Sequence, residues 1–335
     1  FVTINANNRS DLTEKMNWGA DVIVDMLPRE LTRVVAELAV GIGANLVNTN
    51  YRKGLDDLHE KAVEKGIIII PEMGFDPGID LVLAGEAVRK FDEIHELHSY
   101  GGGLPEPAAI DNPLKYKITW TFAGVLDSTY QNARMMDDGI ELNISAQDIY
   151  SEENIHTVDI PGVGELDAIY NRDAVVFAEK FGIEKTVKST GRYTLRWPGF
   201  APIIHTWINL GMFSKEPLEW LSNKISPQDY LCKLLEPQLQ LGENERDVCI
   251  LRLDVKGIRN GKPDRQIYHV IDYRDFETGF TAMNRTVGFP ASIATQMILN
   301  DEIRERGLLS PIHDIPFESF IAELKKRGIQ VTQSG

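Results

Sequence analysis

The chain has 335 residues, 43% of them hydrophobic and 25% charged, with a formal net charge of −15. That length predicts two domains rather than one core. The acidity argues against a nucleic-acid partner, and no apolar run reaches the length of a membrane span.

The chain begins with "FVTINANNRSDLTEKM", which reads as a strand carrying Asn7, Asn8 and Arg9 at its end. Asn5, Asn7, Asn8, Arg9 and Asp11 interrupt any signal-peptide pattern. "DVIVDML" is an apolar strand ending at Leu27-Pro28, and "RELTRVVAELAVGIG" follows with Leu31, Val34, Val35, Leu38 and Ala39 on one helical face. Gly43 is the expected helix stop. "NLVNTN" is a strand, "LDDLHEKAVEKG" a helix stopped at Gly66, "IIIIPEM" a strand apolar on both faces, and "IDLVLAGEAVRKF" a helix. Strands recurring about every 22 residues with helices between them predict βαβ units and a buried parallel sheet of Rossmann type. No GxGxxG occurs anywhere, so the sheet is expected to lack its first βα unit.

From Ile94 onward the pattern changes. "DEIHELHSY" alternates as a strand, which puts His95 and His98 on opposite faces, so no metal site is expected. "KYKITWTF", "NIHTVDIP", "RYTLRWPG", "VCILRLDVKG" and "RQIYHVIDY" read as strands, the last two joined by an Asn260-Gly261 hairpin turn. "AGVLDSTYQNARMM", "NRDAVVFAEKFG" and "SPQDYLCKLLEPQLQL" read as helices. The expected second domain is α+β with an antiparallel sheet. "TGFTAMNRTVGFPASIATQMILNDEI" is rich in small residues and reads as a helix returning to the first domain; "PFESFIAELKKRGIQV" is an amphipathic helix followed by a short strand. The expected organisation is therefore a parallel-sheet, nucleotide-binding type of domain from 1–97 and 278–303, an α+β domain from 98–277, and a tail from 304–335. Cys232 and Cys249 fit no disulfide or zinc spacing, which suits a reducing, cytoplasmic compartment.

A parallel sheet offers its ligand site at the carboxyl ends of its strands. Three loops leave those ends: Pro28-Arg29, Thr49-Asn50-Tyr51 and "EMGFDPGID". In the third, Gly74 and Gly78 permit close backbone approach, Pro77 stiffens the turn, Asp76 sits at the tip and Asp80 falls in the next helix's first turn. On spacing alone, the third loop fits a ligand loop or an acid-capped helix start equally well. In the second domain, "SYGGGLPEPAAIDNPLKYKITW" offers Tyr100, the glycine backbone, Lys117 and Trp120; "AIYNRDAVVF" offers Asn171, Arg172 and Asp173; "RYTLRWPGF" offers Thr194, Arg196 and Trp197. Arg172 and Arg196 suit either carboxylate binding or ordinary salt bridges. Tyr116, Trp120, Tyr193 and Trp197 alternate as buried strand residues do.

"EMGFDPGIDLVLA", "SYGGGLPEPAAIDNPLKYKITWT", "YNRDAV", "TLRWPGF" and "TAMNRTVGFPASIATQMIL", in this order, resemble the saccharopine dehydrogenase family, nearest its saccharopine reductases. The resemblance implies a Rossmann domain binding NADP or NAD, an α+β substrate domain, and hydride transfer at a C–N bond of a small amino-acid substrate. It implies that Asp76 handles the proton of the reacting amine. Arg172 and Arg196 would clamp carboxylates, and Gly102, Gly103 and Leu104 would wall the substrate, near Tyr100, Lys117, Trp120, Asn171 and Thr194. Leu27, Pro28, Thr49, Gly74, Asp76 and Pro77 would line the cofactor, with Asn8 and Arg9 at its ribose end, where arginine favours NADP. Gly101 stands where fungal relatives have cysteine. "YKITW" and "TLRWPG" are also similar to lysine 6-dehydrogenases, and carboxynorspermidine dehydrogenase is a third relative. A homodimer is expected on general symmetry grounds.

Overall fold

The computed structural model describes residues 8–16, 19–219 and 224–335. The chain divides into two compact units: Phe1–Arg89 with Asn284–Gln330, and Lys90–Met283 with Val331–Gly335. The first unit thus extends to residue 330, beyond the 303 expected, and gives up residues 90–97 to the second.

In the first unit the N-terminal segment contains a helix, α1 (Arg9–Met16); the strand expected ahead of it falls on residues 1–7, outside the described residues. Then follow β1 (Val22–Asp25), α2 (Thr32–Ile42), β2 (Asn45–Asn48), α3 (His59–Lys65), β3 (Ile68–Ile70) and α4 (Ile79–Lys90). Gly43 and Gly66 end α2 and α3 in the left-handed conformation, φ 75° and 68°. The strands pair in parallel, and Leu46, Val47 and Ile68–Ile70 are at most 1% exposed, as expected for strands covered on both faces.

Much of this unit's C-terminal part was expected to be a separate tail. Instead, two residues of it, β12 (Gly307–Leu308), complete the sheet in the order β1-β2-β3-β12. They are hard to read because a two-residue strand has no periodicity. The helix α10 (Phe317–Lys326) buries Phe320 and Leu324 fully. Gly85 of α4 lets the chain at Ile312 approach closely: a Cβ there would lie 2.2 Å from the Ile312 carbonyl oxygen.

The second unit contains β4 (Glu93–Pro105), α5 (Phe122–Ser128), β5 (Ala133–Asp137), β6 (Ile140–Ile144), β7 (Ile155–Ile160), β8 (Gly164–Tyr170), α6 (Ala174–Lys180) and β9 (Ser189–Arg196). After these come α7 (Phe200–Asn209), α8 (Pro227–Leu235), β10 (Asp247–Arg259), β11 (Lys262–Tyr273) and β13 (Val331–Ser334). Among the described residues these strands form one nine-stranded sheet, β13-β11-β10-β4-β9-β5-β6, with β8 on β9 and β7 on β8. The sheet is mixed rather than antiparallel, because β4 and β9 run parallel. Asn260-Gly261 makes the expected turn, both residues at positive φ (54° and 72°), and Asp138-Gly139 makes a second such turn between β5 and β6.

Ser99–Pro105, the "SYGGGLP" of the glycine-rich stretch, lie inside β4, between β10 and β9. "KYKITWTF" is not a strand: it holds one bridge, Ile118 to Gln240, and its adjacent Tyr116 and Lys117 are both buried, which strand alternation onto one core does not allow. "ARMM" likewise belongs to β5 rather than a helix. A last helix, α9 (Ala282–Leu299), begins in this unit and continues into the first. Buried Asp247 caps its start, accepting from Ala282 N at 2.8 Å and Met283 N at 3.2 Å.

Candidate functional site

In the first unit the carboxyl ends of β1, β2 and β3 are held by one polar network. Asp25 ends β1 buried, and its carboxylate accepts from Leu27 N at 2.9 Å and from Asn48 Nδ2. Burial pushes this carboxyl above the usual range, and the Leu27 amide and Asn48 oppose the rise. Asn48 ends β2, fully buried; its Oδ1 accepts from Asn50 N, and its carbonyl accepts from Met73 N at 2.9 Å. Asn50 Nδ2 donates to the Leu27 carbonyl (2.9 Å) and Thr32 Oγ1 (3.0 Å), and its own carbonyl accepts from Glu72 N. Sequence reasoning passed over Asp25, Asn48 and Thr32. The signal available was a polar residue ending each of two apolar strands.

The loop after β3 folds on itself. Gly74 N donates to the Pro77 carbonyl at 3.0 Å, the Asp76-Pro77 peptide is cis, and Asp80 Oδ1 accepts from Gly78 N at 2.7 Å. Gly78 has φ 151°, and a Cβ there would lie 1.9 Å from the Gly74 carbonyl oxygen, so only glycine closes this turn. Asp76 is half-buried while Gly74, Pro77 and Asp80 are buried. Leu27 and Thr49 are half-buried and Pro28 is exposed. Asn8 is placed as the N-cap of α1, its Oδ1 accepting from Ser10 N at 3.0 Å.

In the second unit, strand alternation divides the candidates along β4. Tyr100, Gly102 and Leu104 face one side. Tyr100 stacks on Tyr193 at 4.6 Å between ring centroids, and burial raises its hydroxyl to about 12. Leu104 packs in the same cluster with Leu195, Val248 and Ile250. A Cβ on Gly102 would lie 2.8 Å from the Leu195 carbonyl oxygen, so this glycine serves the packing of β4 against β9. Gly101 and Gly103 face the other side, with Thr194 and Arg196 of β9. A Cβ on Gly103 would lie 2.7 Å from both Thr119 Oγ1 and Met283 Cε.

Arg196 lies on this second face, its guanidinium 5.5 Å from the Tyr116 ring centroid and 5.4 Å from that of Phe200. Its Nη1 donates to the Leu195 carbonyl at 2.8 Å, and its buried Nε finds no acceptor among the described residues. Arg172 takes a left-handed conformation, φ 64°, and its carbonyl accepts from Arg134 N at 2.9 Å. Asp173 caps α6 through Val176 N and pairs with Arg134 at 3.2 Å. Asn171 N donates to the Arg192 carbonyl at 2.8 Å.

Lys117 is 3% exposed, with Nζ 2.6 Å from Asp111 and 3.3 Å from Glu245. Burial works to lower its ammonium, but the two carboxylates prevail and hold it above the usual range. Trp120 is 55% exposed and its ring covers Gly124. Trp197 Nε1 donates to the Pro105 carbonyl at 2.9 Å, tying the end of β9 to the end of β4. Among the described residues no cluster of His, Cys, Asp or Glu could hold a metal ion, and no helix is long and apolar enough to cross a membrane.

A parallel sheet with helices between its strands and a polar network at their carboxyl ends defines a Rossmann-type α/β protein, here carrying a second, mixed-sheet unit. The chain belongs to the saccharopine dehydrogenase family: residues 74–329 match the saccharopine dehydrogenase C-terminal domain and residues 1–70 the saccharopine dehydrogenase NADP binding domain. An alpha-aminoadipic semialdehyde synthase of Arabidopsis thaliana is 27% identical over 93% of the chain and 36% of its own length. The mitochondrial one of Rattus norvegicus is 27% identical over 98% and 42%. The chain thus spans about two fifths of the length of these relatives. The saccharopine dehydrogenase [NADP(+), L-glutamate-forming] of Schizosaccharomyces pombe is 27% identical over 99% of the chain and 88% of its own length. In fold, the chain matches apo saccharopine dehydrogenase (L-Glu forming) from Saccharomyces cerevisiae with a TM-score of 0.87, at 24% identity, covering 99% of this chain and 88% of that one. A homospermidine synthase from Legionella pneumophila matches with a TM-score of 0.60 at 12% identity.

Proposed function

We propose that the protein is an NADP-dependent oxidoreductase acting on the CH–NH bond of saccharopine, of the L-glutamate-forming type. The observation that carries this reading is the near full-length match to enzymes of that name, 99% of this chain on 88% of the Schizosaccharomyces pombe enzyme. The Arg196 guanidinium supports it, because its buried Nε awaits an acceptor of the kind a substrate carboxylate provides.

The half-buried and exposed groups at the strand ends, Leu27, Pro28, Thr49 and Asp76, fit a bound dinucleotide, with Gly74 and Pro77 shaping the loop. Asn8 and Arg9 remain the proposed ribose-end residues. NADP, when bound, supplies the hydride acceptor. Asp76 removes the proton from the substrate's secondary ammonium, because only a neutral nitrogen can form the C=N bond as the hydride leaves carbon. Arg196 and Arg172 each hold a carboxylate. Asn171 and Thr194 orient the segments carrying these arginines, and Gly103 lets the Thr119 and Met283 side chains close on the Arg196 face. Tyr100, Gly102 and Leu104 support that wall from its far side. Lys117, held by Asp111 and Glu245, fixes the segment that leads to Trp120.

The same reading takes the protein as a cytoplasmic homodimer; sedimentation and fractionation test those two points. Supplying NADP with saccharopine, lysine or carboxynorspermidine and following the absorbance of the reduced nicotinamide tests the substrate. Oxidation of saccharopine supports the proposal. Oxidation of lysine alone selects the lysine 6-dehydrogenase reading, and of carboxynorspermidine alone the third. No oxidation of any, unchanged in Asp76→Asn, selects a non-catalytic cofactor-binding relative.

A further inference from the structure

We propose that Asn48 is a positioning residue for this reaction, acting with Asp25 to hold the three strand-end loops in one arrangement. The inference rests on the function proposed above. The hydrogen bonds of Asn48 do not reach Asp76, yet each of the three strand-end loops is bonded to Asn48 directly or through one partner.

The loop after β1 is held through Asp25, whose carboxylate binds the Leu27 amide and Asn48 Nδ2. The loop after β2 is held through Asn48 Oδ1, which accepts from Asn50 N, while Asn50 Nδ2 closes the circuit on the Leu27 carbonyl. The loop after β3, which carries Asp76, is bonded main chain to main chain, Met73 N on the Asn48 carbonyl and Glu72 N on the Asn50 carbonyl, so it follows the 48–50 backbone that the Asn48 side chain fixes. Asn48 is fully buried, so water cannot replace a partner that is removed. A network of this kind acts as a unit. Displacement of a reacting group by about 1 Å costs on the order of a hundredfold in rate.

The pairing also has a built-in control. Asp25 accepts from Asn48, so exchanging the two side chains in the double variant D25N/N48D keeps one donor facing one acceptor. Asn at 25 would still accept from the Leu27 amide, and Asp at 48 would still accept from the Asn50 amide. Asn48→Asp alone sets two carboxylates against each other.

The test is steady-state kinetics of the full chain with NADP and saccharopine for Asn48→Ala, Asn48→Asp, D25N/N48D and the core variant Leu46→Ala, each with a melting curve. Asn48→Ala and Asn48→Asp should lower kcat about a hundredfold with the saccharopine KM changed less than about threefold. The exchanged pair should recover most of kcat, and Leu46→Ala should melt earlier at unchanged kcat. An exchanged pair as slow as Asn48→Asp, or a Leu46→Ala kcat that falls as far as that of Asn48→Ala, would overturn the proposal. Amide hydrogen exchange of Leu27 and Asn50, whose amides bind the Asp25 and Asn48 side chains, reads the same network without turnover. Protection should fall in Asn48→Ala and return in the exchanged pair, and unchanged protection would overturn the proposal too. A wild-type protein that oxidises no saccharopine overturns the proposed reaction, and the exchange data then decide the network by themselves.

Discussion

The guanidinium of Arg196 lies 5.5 Å from the ring centroid of Tyr116, on the face of the second unit's sheet that also carries Thr194 and Gly103. A cation set against aromatic rings with a buried, unmatched N–H is suited to receiving an anion.

Arg196→Lys keeps the charge but loses the planar fork and the ring contact. A hydrogen bond to a charged group is worth about 1.5–3 kcal/mol, so the KM for saccharopine should rise about 10- to 100-fold, with kcat nearly unchanged. Steady-state kinetics reads the split. An unaltered KM would assign Arg196 to core packing alone.

The triple glycine yields two contrasting variants. In Gly102→Ala the new methyl meets the Leu195 backbone at 2.8 Å, which cannot move without disturbing the pairing of β4 and β9. It should cost about 1–3 kcal/mol and lower Tm. In Gly103→Ala the methyl meets the ends of the Met283 and Thr119 side chains, which can swing away. Its Tm should change less, while crowding beside Arg196 raises the saccharopine KM. Thermal melts and kinetics on both variants check the contrast.

Lys117 supplies a pH signature. Its folded-state ammonium is held above the usual range, so its pairing stabilises the protein fully below the ordinary lysine value of about 10.4 and is lost as pH rises through the higher folded value. Asp111 is held below the usual carboxylate range, first by Lys117, so that contribution is present above about 3.9 and is lost as pH falls through its depressed value. The Tm difference between wild type and Lys117→Met should therefore be flat around neutrality and shrink at both extremes. Melts across pH test this, and a difference that varies between pH values of about 6 and 8, where neither group titrates, would contradict it.

The first unit was legible because strands covered on both faces read as unbroken apolar runs, such as Ile68–Ile70, and because glycine stops such as Gly43 mark helix ends. Its strand-end network was not legible, since Asp25 and Asn48 meet only through a parallel register that brings residues 23 apart together. Glycine's low strand preference hid the strand at Gly101–Gly103. Packing prevailed at Gly102 and Gly103, where β9 and the Thr119 and Met283 side chains already fill the space that side chains would need. At Tyr116 and Lys117 alternation misled in the opposite sense: partnering by Asp111 and Glu245 lets Lys117 be buried beside buried Tyr116 without a strand. Arg196 was legible as a candidate but not in its setting, which depends on Phe200 in a helix that the sequence reading left unassigned.

The reaction itself is tested most directly by incubating the protein with NADP and saccharopine and measuring glutamate and reduced cofactor together, for wild type and Asp76→Asn. The wild type should form the two in equal amounts. Asp76→Asn should slow both by about 100- to 10,000-fold, the range that a positioned acid–base group supplies. Reduced cofactor without glutamate, or Asp76→Asn as fast as wild type, would contradict the proposed reaction.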